Sequence, residues 1–236
     1  MKAYIIAIGL LTAAAAVLAS CADGENGEQP PATLDPADFQ ARVDNRFFPL
    51  VSEGTRVYEG EEVDPETGET IEIRVESRVL AETDVIDDVE GTVVEVKDFE
   101  DDELVESTLD YYAQHKDGTV YYLGERVDDY EEGAVVGHGG QWLAGDGDNQ
   151  PGIFMPGDPQ VGDEFEQERA PGIAEDRSMV VGVDQTVTTP AGTFSGCIKT
   201  EDFDPLSDVT EFKLYCPDVG LVREEPPDGF VDLTSY

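Results

Sequence analysis

Three cysteines, two histidines and a few paired aromatics are the residues of this chain with the chemistry to bond, titrate or grip a ligand. Cys197 and Cys216 suit one another. The point midway between them falls between Leu206 and Ser207, inside the turn-forming segment Asp204-Pro205-Leu206-Ser207-Asp208, with strand-like runs Gly192–Asp202 and Val209–Cys216 on either side. A symmetric hairpin about that point sets the two thiols face to face. A disulfide there closes about twenty residues and adds roughly 3 kcal/mol in the chain-entropy description. A metal or redox pair is the rival reading, but it lacks a Cys-x-x-Cys, and neither histidine is nearby in sequence. His115 and His138 are accompanied by no Gly-x-Ser-x-Gly elbow and no His-Glu-x-x-His. Acids are so abundant that no particular carboxylate pair marks a glycosidase site, and no Gly-rich phosphate loop precedes a helix. No catalytic residue is assigned, and the chain is expected to be non-enzymatic and without a cofactor. Asp146-Gly147-Asp148-Asn149 alternates oxygen ligands as a Ca²⁺ site does, making Asp146 and Asp148 a candidate cation site. However, Pro151 stands where an EF-hand has its Gly, and no Glu closes the loop. Tyr111, Tyr112, Tyr121, Tyr122 and Trp142 combine apolar faces with polar tips and are the candidate ligand contacts. Cross-strand packing accounts for the same tyrosines.

The first twenty residues form a separate unit. A short positive start, Met1-Lys2, precedes an Ala-rich apolar run from Ala3 to Leu18, and Leu18-Ala19-Ser20-Cys21 follows. This tetrapeptide resembles the lipobox of bacterial lipoprotein signals. The resemblance implies that residues 1–20 are a signal peptide and that Cys21 becomes a diacylated N-terminus. An ordinary secretory signal or a single anchor helix is the alternative. Acyl chains give membrane affinity through buried CH₂ groups, so an acidic protein is tethered without attraction to the surface itself. Residues 21–38 are acidic, rich in Pro and Gly and without apolar periodicity, as a flexible linker is. The expected location is exported and lipid-anchored to a bacterial membrane, at the cell surface or in the periplasm. In that oxidising setting the two remaining cysteines are expected to pair.

Asp and Glu number 54 against 14 Lys and Arg, for a formal net charge of −40 over 236 residues. Such a chain repels a phosphate backbone, which excludes nucleic acid as a partner. It is also repelled by an anionic bilayer unless anchored. The acids are spread over nearly every segment rather than gathered in one block. That distribution suits a saline habitat better than a dedicated cationic partner.

The elements that must position these residues are strands. In Thr70–Leu80, Ile71, Ile73 and Val75 share one face while Glu72, Arg74 and Glu76 share the other. This run follows Thr55–Glu62 through the turn Asp64-Pro65-Glu66-Thr67-Gly68. Thr92–Phe99 and Leu104–Gln114 make a second hairpin around Glu100–Glu103, and Asp128–Glu132 reads as another solvated acidic turn. Leu109–Gly124 carries two Tyr-Tyr strands around Lys116-Asp117-Gly118, a strong hairpin signal. Further strands are expected at Glu164–Arg169, Ser178–Thr189, Leu221–Glu225 and Phe230–Tyr236, with one short helix near Pro36–Asn45. The Gly- and Pro-rich segment 137–162 is too apolar at Trp142, Ile153, Phe154 and Met155 for a solvated linker and is expected to fold back onto the sheet. The expectation is therefore an all-β domain at 39–236: a single curved antiparallel sheet or half-barrel meander with at most one short N-terminal helix.

Four phrases together resemble a family of uncharacterised exported bacterial β-rich lipoproteins. They are Val43-Asp44-Asn45-Arg46-Phe47-Phe48-Pro49-Leu50, Gln150-Pro151-Gly152-Ile153-Phe154-Met155-Pro156, Val187-Thr188-Thr189-Pro190-Ala191-Gly192-Thr193-Phe194 and Tyr215-Cys216-Pro217-Asp218-Val219-Gly220-Leu221-Val222. The Pro-Ala-Gly-Thr-Phe and Pro-x-Val-Gly-Leu-Val motifs are similar to those of envelope domains of unknown function. The resemblance implies a curved sheet and transfers no catalytic residues. Three functions are weighed from the sheet and its aromatic residues, the last two as alternatives to the first. One is a ligand-binding or carrier-type domain for a small apolar ligand. The others are a structural or interaction lipoprotein that meets an envelope protein and a Ca²⁺-binding surface module.

Overall fold

Alternating side chains and short turns dictate hairpins, and hairpins in series make a meander. The computed structural model describes residues 34–50, 54–64 and 67–236. The signal peptide, Cys21 and most of the 21–38 linker lie outside the described residues. Among the described residues fifteen strands succeed one another: β1 (Phe39–Gln40), β2 (Thr55–Val63), β3 (Thr70–Ile86), β4 (Val89–Glu100), β5 (Glu103–His115), β6 (Val120–Glu131), β7 (Ala134–Gly137), β8 (Trp142–Leu143), β9 (Gly152–Met155), β10 (Glu164–Glu166), β11 (Arg177–Thr189), β12 (Gly192–Asp204), β13 (Val209–Cys216), β14 (Gly220–Glu225) and β15 (Gly229–Ser235). They form a single open antiparallel sheet in the order β10-β11-β12-β13-β14-β15-β2-β3-β4-β5-β6-β7. Two meanders of six strands, β2 to β7 and β10 to β15, thus meet along the β15–β2 ladder, which pairs Phe230 with Glu61 and Leu233 with Tyr58.

The short strands complete the edges. β1 continues along β5 past the end of the β4 pairing, and β8 and β9 come after β7 along the free edge of β6. Segment 137–162 therefore does return to the sheet, as its apolar residues require. Beyond β9 the two limbs approach each other. The Gln150 amide donates to the Arg169 carbonyl at 3.0 Å, and Gly152 is so close to Gln167 that a Cβ there would lie 2.0 Å from its carbonyl oxygen. This contact curls the sheet without closing it into a continuous barrel.

Acidic residues make the tight reversals. Asp87 and Asp88 (φ 48° and 65°) join β3 to β4, and Asp101 and Asp102 (φ 48° and 67°) join β4 to β5. Successive left-handed residues match the right-handed twist of hairpin strands, and Asp tolerates that region better than most residues. Part of the chain's acidity is thus turn chemistry.

Four expectations need correction. The helix near Pro36–Asn45 is one 3-10 turn, Pro36–Asp38, because Phe39 and Gln40 pair with β5 and Phe39 packs 5.3 Å from both His115 and Tyr121. Asp128 to Glu131 belong to β6, and the chain reverses at Glu132-Gly133 instead. β3 runs on to Ile86 through an irregularity between Val79 and Thr83. β10 stops at Glu166, where the amides of Gln167 and Glu168 both turn to the Asp176 carbonyl.

The β12–β13 hairpin has the anticipated symmetry. Ile198 faces Tyr215 and Asp204 faces Val209, and Cys197 and Cys216 are joined by a disulfide with their Cα atoms 4.1 Å apart. Both cysteines are buried.

Candidate functional site

Alternation places Glu106, Thr108, Asp110, Tyr112 and Gln114 of β5 on one face, and all five are buried. Residues directly opposite across antiparallel strands share that face. On β4 they are Asp98 opposite Glu106, Val96 opposite Thr108 and Val94 opposite Asp110. On β6 they include Glu125 opposite Asp110 and Tyr122 opposite Tyr112. Two like-charged pairs, Asp98 with Glu106 and Asp110 with Glu125, therefore stand cross-strand on the inner face of the curl, an arrangement that is unfavourable when both members ionise. The other limb contributes Glu224 of β14, Lys213 and Tyr215 of β13 and Asp202 of β12, all at inward positions.

The electrostatics result from this crowding. Burial pushes Glu106 up to about 9, helped by Asp98, Asp129 and Asp110. Burial raises Asp98 well above the usual carboxylate range, and Glu224, Asp110 and Glu100 push the same way. Asp110 rises only to about 7, because the hydroxyls of Thr108, Tyr122 and Tyr112 favour its charged form against burial. Glu125 and Glu168 are raised by burial and by neighbouring carboxylates, and Glu224 reaches about 7 with Lys213 opposing its burial. Lys213 is the interior's cation. Burial works against its charge, but Glu211 at 2.8 Å, Asp202 at 3.6 Å and Glu224 hold it protonated.

Several of these groups have unused hydrogen-bonding capacity. Both carboxyl oxygens of Asp98 lack a partner, as do one oxygen each of Glu106, Glu168 and Glu224 and the indole N–H of Trp142. An unpaired buried polar group costs about 1–3 kcal/mol, more when charged.

One end of the interior is aromatic. Tyr112 and Tyr122 stack at 4.8 Å, Phe48 and Phe154 close on them at 5.1 and 5.0 Å from Tyr112, and Trp142 meets Tyr122 edge-on at 5.5 Å. Phe48 reaches this end because Asn45 fixes its segment. The Asn45 amide donates to the carbonyls of Gly118 (2.9 Å) and Pro156 (3.1 Å), while its side-chain oxygen accepts from the amides of Phe47 and Phe48. The Asp44-Asn45-Arg46-Phe47-Phe48 phrase is thus a plug tied to two loops. Beside it, a groove of about 400 Å³ opens at the β3 irregularity, lined by Ala41, Leu50, Val79, Leu80 and Thr92. Thr92 faces Tyr112, so the groove borders the aromatic end.

Of the anticipated contacts, Tyr112, Tyr122 and Trp142 come together. Tyr111 and Tyr121 point to the opposite face: the Tyr111 hydroxyl accepts from Arg126 at 2.6 Å, and Tyr121 packs against Phe39 and His115. Asp146 and Asp148 are exposed on a turn closed by the Asn149 amide to the Asp146 carbonyl. Among the described residues, no group of three or more His, Cys, Asp or Glu is placed to hold a metal ion. The His115 ring lies 2.8 Å from the Asp117 carboxylate, and His138 lies 3.0 Å from the Asp128 carboxylate and hydrogen-bonds the Val127 carbonyl at 2.7 Å. The inward carboxylates were not singled out from sequence. Their signal was there: Asp98 stands in phase with Val94 and Val96, and Asp110 in phase with Thr108 and Tyr112.

No protein-family model, curated protein or solved structure matches the chain.

Proposed function

We propose that this chain is a non-enzymatic bacterial envelope lipoprotein, tethered through Cys21, whose curled sheet binds and carries a small ligand. The observation that supports the reading is the polar interior. A sheet that serves only as scaffold fills its concave face with Leu, Ile and Val, because partnerless buried carboxyls weaken it. Here that face keeps Asp98, Glu106, Asp110, Glu125 and Glu224 beside the aromatic end formed by Tyr112, Tyr122 and Phe154. Retaining such costly groups is the mark of a site selected for binding. The chemistry favours a ligand with a polar head and an apolar portion over the wholly apolar ligand suggested by the tyrosines alone. The lipobox and the four family-like phrases support the envelope setting.

Native mass spectrometry of the protein drawn gently from its own membranes tests both parts. A diacylglyceryl mass on Cys21 together with a discrete adduct of a few hundred daltons supports the proposal. A bare, unlipidated mass sinks it. A second reading rests on β7, whose free edge exposes Val135 and Val136. Such an edge suits strand addition by an envelope protein, and in that case the lipidated mass would carry a protein partner and no small adduct.

A further inference from the structure

We propose that the seam where the two limbs meet, Gln150 and Gly152 against Gln167 and Arg169, is a pH-sensitive latch. It is closed while the buried carboxyls of Glu125 and Glu168 hold protons and opens when they lose them. The inference holds whether or not the interior carries a ligand.

Backbone geometry places the two carboxyls on opposite limbs of this seam. Glu125 is fully buried on β6, directly opposite Asp110 of β5 and Trp142 of β8, and neither of its oxygens has a partner. Three residues back on the same strand, Tyr122 pairs with Gly152 of β9, the glycine that packs against the Gln167 carbonyl. Glu168 stands between the two seam residues of the other limb, Gln167 and Arg169. It is 6% exposed, and one of its oxygens is unpartnered. The indole N–H of Trp142, 2% exposed and inward beside Glu125, is unpartnered too. The joint itself is slight, since Gln150 and Arg169 form an isolated bridge and not a ladder. A gain of like charge on both sides falls on the weakest tie between the limbs.

The surroundings keep both groups protonated. Burial raises Glu125 most, followed by Glu168 from the other limb and by Asp110 and Glu106 of β5, with the Tyr122 hydroxyl working the other way. Burial raises Glu168 as well, and Asp176, Asp110 and Asp204 add to it against Lys213. That lysine is already engaged by Glu211 and Asp202. The closed seam thus holds protons that an open, hydrated one releases. Closure is complete below the ordinary glutamate value of 4.5 and is lost as pH rises towards the raised values of the closed form. The β15–β2 ladder keeps the limbs joined while the seam parts.

Trp142 is the only tryptophan of the chain, so its fluorescence reports on the latch from the position opposite Glu125. The experiment is acrylamide quenching of that fluorescence in the full chain, in mild detergent, from about pH 6 to about pH 9, with far-UV circular dichroism at each step. The quenching constant is expected to rise roughly threefold or more, reversibly, with the sheet signal retained. Corrected for intrinsic exchange, the Gln150 amide should lose about tenfold in protection between about pH 6.5 and 8.5, while amides of the β12–β13 ladder keep theirs. A chain carrying both Glu125→Gln and Glu168→Gln, near-isosteric changes checked by circular dichroism, should keep Trp142 shielded throughout. Quenching in the parent that does not change with pH overturns the proposal. So does a rise that persists in the folded double variant, or one that comes only with loss of the sheet signal, because that assigns it to global unfolding. If the double variant does not fold, the parent's Gln150 amide decides, and unchanged protection there overturns the latch.

Discussion

Replacing Glu106 by Gln should stabilise the protein near neutral pH and leave it unchanged in acid. Glu106 is 3% exposed, and burial among Asp98, Asp129 and Asp110 raises its pKa from 4.5 to about 9. Below about pH 4.5 the folded and unfolded chains both hold the proton, and the residue has no effect on the pH dependence. Between there and about pH 9 only the folded chain holds it, so stability falls as pH rises, by about 1.4 kcal/mol per unit. At pH 7 the accumulated loss is about 3 kcal/mol. Glutamine keeps the shape, does not ionise in the unfolded chain, and offers an amide donor towards the free oxygens of Asp98. With a urea slope of about 2 kcal/mol/M, the gain appears as a midpoint shift of roughly 1.5 M at pH 7. At pH 4 the shift should be within about 0.3 M. Equal shifts at both pH values, or a loss at pH 7, would show that Glu106 is ionised and partnered in the folded protein, and the account of the interior would fail.

Three further outcomes are expected. Replacing Cys197 and Cys216 together by Ser should lower stability by roughly 3 kcal/mol, read by urea unfolding, and in the parent protein these two positions should react with a thiol reagent only after both unfolding and reduction. Asn45→Ala strips the Gly118 and Pro156 carbonyls of their donor and the Phe47 and Phe48 amides of their acceptor, a loss of about 2–4 kcal/mol. Hydrogen exchange should show the Phe47 and Phe48 amides losing protection first. Gly152→Ala places a methyl 2.0 Å from the Gln167 carbonyl and should part the two limbs, costing about 1–3 kcal/mol and freeing the Gln150 amide to exchange. Unchanged Gln150 protection would mean that the limbs do not depend on that contact.

The β12–β13 hairpin was legible because one constraint, two cysteines symmetric about a Pro-containing turn, fixed its register. The β5–β6 hairpin was legible because Asp117-Gly118 names its turn. The end of β3 was not, since Ala81-Glu82-Thr83-Asp84 shows no alternation and the irregularity after Val79 shifts the phase of the strand from Thr83 onward. β8 and β9 are two and four residues long, too short for a period to declare itself, and they exist because β6 offers them an edge. The interior carboxylates were hidden for a different reason. An Asp at an inward position reads as the end of an apolar pattern, so Val94, Val96 and Asp98 look like a strand running out rather than one whose inner face turns acidic. Tyr111 and Tyr112 illustrate the same difficulty: adjacent residues of one type face opposite ways, and only the pairing partner says which faces in.

The ladder between β15 and β2 has a consequence for assembly. Every other ladder along the main path from β10 to β7 joins neighbours in sequence and can form from local hairpins, whereas this one waits for residues 229–235 to find residues 57–62. Closing a loop of about 170 residues costs roughly 4–5 kcal/mol in chain entropy before a single bond is returned. Until then β2 and β15 are raw edges of two half-sheets with matching partners in every other molecule. At high concentration the nearest β15 belongs to a neighbour, and two chains can then trade halves and close as a swapped dimer with the same ladder in both. Dilution would favour the monomer.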